Sequence, residues 1–404
     1  MNTGDTAFIL IATALVMLMT PGLALFYGGM VRSKNVLSTI LQSFICLGII
    51  SIIWVFYGYS LAFGPDLGGF IGNLDWAGLK GVGLDAGPYS ETIPHLLFCA
   101  FQLMFAVITP ALITGTFAER IKFTAFLLFA VLWSTLVYLP VCHWVWGGGW
   151  MGGHGVLDFA GGTVIHINSG AAALVAALMF GKRKGWGKES FHPHNLSMTV
   201  LGAGILWFGW FGFNAGSALA ANGIAVNAFF TTQVASGAAL LSWLIAEWLV
   251  QGKPTTLGAA SGAIAGLVAI TPGAGFVGPL SAVIIGLVAG ALCYLAVLAK
   301  GKLGYDDSLD VVGVHGVGGL WGALATGLFA STAVNPGGAN GLFFGNPHQL
   351  GTQAMDALVT IVYSMVVTFI ILKVIDALVG LRVTTEEEEQ GLDVTQHSEI
   401  GYSL

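Results

Sequence analysis

Eleven stretches of this chain are apolar for long enough to cross a bilayer, and charged side chains are nearly absent from them. About 20 consecutive apolar residues span the hydrocarbon core. The stretches lie near 6–31, 40–63, 95–117, 122–146, 161–181, 196–214, 226–250, 256–271, 277–299, 311–332 and 353–381. In lipid the backbone must satisfy its own hydrogen bonds, so such segments fold as helices. The expectation is an all-α membrane protein with eleven transmembrane helices. A large soluble domain would lack the charges to cover its surface: 8% of this chain is charged, against about 25% ordinarily. Glycine, 59 of 404 residues, suits helices that approach through small side chains, because lipid supplies no hydrophobic drive between them.

The basic residues test the count and set an orientation. Arg32 and Lys34 follow the first segment, Arg120 and Lys122 the third, and Lys182, Arg183, Lys184 and Lys188 the fifth. Lys253 follows the seventh, Lys300 and Lys302 the ninth, and Arg382 the eleventh, so twelve of the fourteen Lys and Arg follow odd-numbered segments. The positive-inside rule then puts the N-terminus outside and the C-terminus in the cytoplasm, with the chain multi-pass in the cytoplasmic membrane. The start, MNTGDTAFILIATALVMLMT, lacks a basic n-region, so it is read as the first helix and not as a removable signal. Five helices precede the 181–195 loop and five follow before the last. Five is odd, so the halves enter the membrane from opposite sides. That predicts two inverted five-helix repeats plus a final long helix, with the working site between the repeats. Residues 1–382 form the transmembrane domain and 383–404 a short tail.

Each half keeps one histidine in lipid-length sequence: His166 in DFAGGTVIHINSGAAALVAALMF and His315 in DVVGVHGVGGLWGALATGLF. An ionisable side chain there is costly unless it faces a cavity or a partner. Two neutral imidazoles can share one hydrogen bond across the interface; alternatively, each ties helices through a backbone carbonyl. Asp158 lies eight residues before His166, about 12 Å along a helix, near the outer mouth. It can cap the fifth helix, supply negative potential, or both; Asp310 is expected to do the same for the tenth. Trp144, Trp146 and Trp150 end the fourth segment, Trp207, Trp210, Phe211 and Phe213 end the sixth, and Phe101 and Phe105 lie in the third. These are either an interfacial belt or an aromatic cage for a small cation, with Ser217 adding an acceptor. The four cysteines sit in or beside apolar runs without CxxC and read as small core residues. No phosphate-binding glycine motif, metal-ligand spacing or nucleophile–base set appears, so no enzyme, cofactor or metal is expected. The net charge of −6 is spread over loops and tail, which speaks against nucleic acid.

FYGGMVRSKN (26–35), TGTFAERIKF (114–123), DFAGGTVIHINSG (158–170), GWFGFNAGSA (209–218) and DDSLDVVGVHGVGG (306–319) resemble the ammonium transporter family (Amt/Mep/Rh), and bacterial Amt channels in particular. The resemblance runs along nearly the whole chain. It implies that His166 and His315 are twin pore histidines. It implies that Phe105 and Phe213 form a stacked gate, and that Trp146, Phe105 and Ser217, with Phe101 beside them, recruit ammonium. Asp158 matches the aspartate needed for entry. The family fold has eleven helices and forms homotrimers with one pore per subunit. Two departures stand out: some relatives carry a cleaved signal, and Leu103–Met104 before Phe105 are larger than expected and would narrow the vestibule.

The resemblance also implies a mechanism. Deprotonating an amine with a pKa of about 10 costs about 4 kcal/mol at neutral pH. A charge on an isolated helix at mid-membrane costs about 10–17 kcal/mol in simulation, although insertion scales give far less. Recruitment as a cation and passage as ammonia follows, with possible separate proton transfer. Rival classes are a channel for another neutral gas and an ammonium sensor. A tail of about two dozen residues is too short to fold alone. By composition it is a solvated tail; by resemblance it packs on the cytoplasmic face and receives a PII-type (GlnK) regulatory protein.

Overall fold

Length and apolarity carry straight through into helices. The computed structural model describes residues 1–402. Among these, ten helices are long and apolar enough to cross a membrane: α1 (Thr3–Met30), α2 (Ser33–Phe63), α3 (His95–Phe117), α4 (Phe123–Gly153), α5 (Gly162–Phe180), α6 (Leu196–Gly216), α7 (Gly223–Gln251), α9 (Pro279–Leu303), α10 (Val312–Phe329) and α11 (Pro347–Val379). Between α7 and α9 lies a shorter apolar helix, α8 (Thr256–Ile270). Local chemistry sets the ends. Asn2 caps α1 by accepting from the N–H groups of Gly4 and Asp5. Pro279 and Pro347 open α9 and α11, where a missing N–H costs nothing. Gly252 and Gly304 close α7 and α9 in the left-handed conformation.

The helices pack into a bundle in which α1 lies along α6, from the other half of the chain, and α7 lies against its sequence neighbours α8 and α9. Where α1 meets α6, a Cβ on Gly212 would stand 2.6 Å from Leu15 Cβ, so only glycine permits this approach. α3 and α5 are the most enclosed spans, while α11 runs along α5 and α10. The outward surface is apolar, with Ile11, Ile52, Phe56, Leu249, Leu280, Leu358 and Phe369 exposed. No water-facing protein tolerates such a belt. π turns interrupt α2 (Trp54–Gly58) and α4 (Ser134–Tyr138), and both α5 (Gly162–Ile167) and α10 (Val312–Val317) begin with one.

The N-terminus and the 64–94 segment share one face; Asn2 N–H donates to Thr92 O (2.7 Å). That segment holds two small hairpins, β1 (Asp66–Leu67) with β2 (Ile71–Gly72) and β3 (Ala86–Gly87) with β4 (Ser90–Pro94). The opposite face carries the C-terminus. There the tail forms two short helices, α12 (Thr385–Gln390) and α13 (Leu392–His397), the first opened by a Thr384–Glu387 capping box. The tail is docked, not frayed. Glu388, 2% exposed, accepts from Arg382 Nη2 (2.6 Å) and the Lys184 N–H (2.8 Å). Lys184 also pairs with Glu389. Asp393 accepts the N–H groups of Leu37 (3.0 Å) and Ser38 (2.8 Å) at the start of α2. Of the basic loop, Lys184 reaches the tail, whereas Arg183 turns inward.

Candidate functional site

On the N-terminal face a vestibule of about 290 Å³ opens between α3, α4, α6 and the 154–161 segment. Phe105, Trp146, Asp158 and Ser217 all line it. Trp146 is held by its Nε1, which donates to Asp158 O (2.8 Å), and its ring meets Phe105 edge-on at 6.0 Å. Ser217 Oγ spends its proton on Phe213 O (2.8 Å), leaving its lone pairs as the acceptor side. An aromatic face beside an oriented hydroxyl oxygen suits a small cation that donates hydrogen bonds. Phe101 lies outside the lining: it is fully buried and props Phe105 from behind, ring centroids 4.9 Å apart. Leu103 and Met104, expected to narrow the vestibule, pack against the core and do not line it.

Below the vestibule, Phe105 and Phe213 close the way at a centroid distance of 4.4 Å. Beneath Phe213 stand the histidines. His166 Nδ1 and His315 Nδ1 are 3.1 Å apart, with rings inclined by 22°. This is the shared hydrogen bond expected of two neutral rings. One ring donates Nδ1–H and leaves its Nε2 bare; the other accepts at Nδ1 and carries Nε2–H. The pair thus offers one acceptor and one donor without a net charge. Trp210 stacks on His166 at 5.5 Å and is itself held through Nε1 to Thr271 Oγ1 (2.9 Å). Around the pair the walls are aliphatic and aromatic: Met19, Leu23, Ile108, Leu206 and Ile264 among them. The free volume there is about 10 Å³, the threshold for a single water-sized molecule.

The two histidines have matching supports. Asp158, eight residues before His166, gives Oδ1 to the N–H groups of Gly161 (2.8 Å) and Gly162 (2.7 Å) and Oδ2 to those of Thr163 (2.8 Å) and Val164 (3.1 Å). It caps α5 with both oxygens while its side lines the vestibule. Its counterpart is Asp307, eight residues before His315, which accepts the Val312 N–H (2.7 Å) and Thr116 Oγ1–H (3.0 Å). Asp310, the residue expected in that role, has φ 64° and pairs with Lys300 instead. Four residues after each histidine a glycine meets the other helix. A Cβ on Gly319 would stand 2.9 Å from His166 Cβ, and one on Gly170 would collide with Gly316. The ring separation is therefore set by two glycine contacts.

On the C-terminal face a second cavity of about 380 Å³ is lined by Arg32, Glu119, Arg183, Lys300 and Asp310. Arg183 bonds Asp306 through Nε and Nη2 (both 2.9 Å) and Glu119 through Nη1 (3.0 Å). Arg120, fully buried, reaches Asp306 O (2.6 Å). Burial raises the Glu119 carboxyl, but Arg183 and Arg32 overcome it and hold it below the ordinary range. Asp306 is likewise held low by Arg183 and Arg120 against its burial. Asp307 goes the other way: burial pushes it up to about 6, with Lys300 opposing and Asp310 adding. Sequence reasoning missed Gln102, Phe98 and Phe276 in the vestibule lining, the stacking of Trp210, and this ion-pair knot.

The comparisons with known proteins agree with one another. Residues 7–402 match the model of the Ammonium Transporter Family. The chain is 57% identical over 403 residues to an ammonium transporter of Bacillus subtilis (strain 168), covering 100% of this chain and 99% of that one. It is 50% identical to ammonium transporter Amt1 of Archaeoglobus fulgidus, with both chains fully covered. Among solved structures, Saccharomyces cerevisiae Mep2 superposes with a TM-score of 0.89 at 38% identity, over 96% of this chain and 89% of that chain. A structure titled Sensor Amt Protein superposes at 0.89 with 31% identity, over 98% of each chain. A multi-pass helical bundle of this fold, matched along its whole length by these relatives, belongs to the ammonium transporter family.

Proposed function

We propose that the chain conducts ammonium-derived nitrogen across the cytoplasmic membrane. Ammonium is recruited as a cation between Trp146, Phe105 and Ser217, with Phe101 behind and the Asp158 carboxylate lending negative potential. It loses its proton near the Phe105–Phe213 gate and passes as ammonia between those rings to His166 and His315. The observation that most supports this is the succession of a cation-suited vestibule, an aromatic closure and a hydrogen-bonded histidine pair in a void of single-molecule size. In this reading α8 crosses with the other ten helices, the N-terminal face is external, and the basic face is cytoplasmic. The two five-helix halves are inverted repeats. Residues 1–382 form the channel domain of a homotrimer, and 383–404 form a regulatory tail that takes part in binding a PII-type (GlnK) protein.

Two other readings are separated by the same assay. A neutral-gas channel has no use for a cation-suited vestibule. A sensor, raised by the likeness to the Sensor Amt Protein, binds ammonium without bulk flux. Full-length protein in proteoliposomes is expected to give an ammonium-evoked current or uptake, and His166→Ala or His315→Ala should abolish it or change its selectivity. Wild-type behaviour in both variants would remove the pore assignment.

A further inference from the structure

α11 turns a column of polar side chains into the bundle: Gln349, Gln353, Asp356, Thr360, Ser364 and Thr368, all buried. Steps of three or four residues keep them on one face. Most are satisfied. Gln353 clasps Leu157, donating to its O and accepting from its N–H (both 2.8 Å). Ser364 Oγ donates to Asn168 O (2.8 Å), and Thr368 Oγ1 accepts from Trp133 Nε1 (3.0 Å). Asp356 is the exception. It has no exposed surface, and among the described residues no cation pairs with it. Its Oδ2 accepts the Thr163 hydroxyl (2.6 Å), while its Oδ1 has no hydrogen-bond partner.

Two other buried oxygens in the same strip also lack partners, Thr360 Oγ1 and Asn168 Oδ1. The Thr163–Asp356 and Asn168–Ser364 bonds bracket them. On α5 the bracketing positions are five apart, and the i→i+5 pairing of its opening π turn brings such positions onto one face. An unpaired buried carboxylate is costly, and binding a proton removes that cost. Asp356 also lies one residue from the pore entrance: Thr163, which gives it a hydroxyl proton, gives its backbone N–H to Asp158 in the vestibule wall.

We propose that Asp356 is a proton-accepting residue beside the pore, taking the proton that ammonium releases at the entrance. The inference rests on the reading that ammonium is deprotonated there. One N–H bond breaks with its electron pair staying on nitrogen; the Thr163 hydroxyl oxygen takes that proton while its own O–H proton passes to Asp356 Oδ2, so one O–H bond is exchanged at Thr163 and one forms at Asp356. Cation and carboxylate become two neutral groups, and the carboxyl resets by the reverse relay through Thr163 to water at the entrance. The test is infrared difference spectroscopy on full-length protein in proteoliposomes perfused with ammonium, alongside current recordings, for wild type and Asp356→Asn. A protonated-carboxyl band should rise with ammonium in wild type and be missing from the variant. The variant's current should fall about a hundredfold, the scale of a lost proton-transfer group, with the half-saturating concentration unchanged. Asparagine still offers an oxygen to Thr163, and the wild-type spectrum is read independently of the variant's folding. A carboxyl band that ammonium does not change, or a wild-type current in Asp356→Asn, overturns the proposal. A wild type without any ammonium-evoked current removes the transport reading, and this proposal with it.

Discussion

Gly319→Ala is the sharpest perturbation of the histidine pair that leaves both histidines in place. The new methyl carbon would stand 2.9 Å from His166 Cβ and 3.0 Å from Ile167 N. Carbon atoms rest at about 3.5 Å, so α10 must yield by about 0.6 Å. Applied along the pair, that moves Nδ1···Nδ1 from 3.1 Å to about 3.7 Å, outside hydrogen-bond range. Overpacking costs about 1–3 kcal/mol, and alanine returns about 1 kcal/mol of helix propensity. Stability should therefore fall only modestly. Transport should fall more: losing one hydrogen bond of about 1 kcal/mol is about fivefold in rate, and displacement of a reacting group reaches about a hundredfold. The assay is ammonium uptake into proteoliposomes, paired with the melting temperature of the same preparation. Gly170→Ala, whose methyl meets Gly316 backbone, should be worse in both. Wild-type uptake in Gly319→Ala would refute the idea that glycine contacts set the ring separation.

Trp146→Leu should raise the half-saturating ammonium concentration, because leucine fills space without a π face; an unchanged concentration dependence would make Trp146 a packing residue. Glu119 and Asp306 are held low by arginines, so their stabilisation is present above the ordinary carboxylate range and lost as pH falls below about 4. Asp307, pushed up to about 6, acts oppositely: its cost is absent at low pH and grows as pH rises through about 6. Melting temperatures should thus drop on acidification less steeply in Glu119→Gln, and the fall in melting temperature as pH rises from about 4 to about 6 should be absent in Asp307→Asn. Deleting residues 383–404 removes the docked α12 and α13; a pull-down should recover the cognate PII-type regulator with full-length protein and not with the truncated one.

Span positions were legible because length and the absence of charge decide them without any knowledge of partners. His166, His315 and Asp158 stood out for a related reason, since a titratable residue in lipid-length sequence has few uses, whereas Phe105, Trp146 and Ser217 were singled out only by the family resemblance, because aromatics at helix ends fit a belt as well as a cage. Asp307 was within reach, since its spacing from His315 equals that of Asp158 from His166; the nearer Asp310 concealed it, and only a positive φ and Lys300 show why Asp310 cannot cap. Trp210 looked like its neighbours in the belt, and nothing in one helix tells which tryptophan faces inward. Asp356 lies near the start of the last apolar run, where an acid reads as a solvated end. The Arg183–Glu119–Asp306 knot joins three loops far apart in sequence, so no local pattern announces it.

The walls around the histidine pair also determine what is refused. A potassium ion gives up its water shell only where oxygens replace it. Here Met19, Leu23, Ile108, Leu206 and Ile264 offer carbon, and about 10 Å³ of free volume admits no hydrated ion. The single donor and single acceptor of the imidazoles match a small molecule that both gives and takes hydrogen bonds, and they replace no shell. On the proposed path such walls reject metal cations by withholding ligands, so passage of ammonia need not let metal ions discharge an energised membrane.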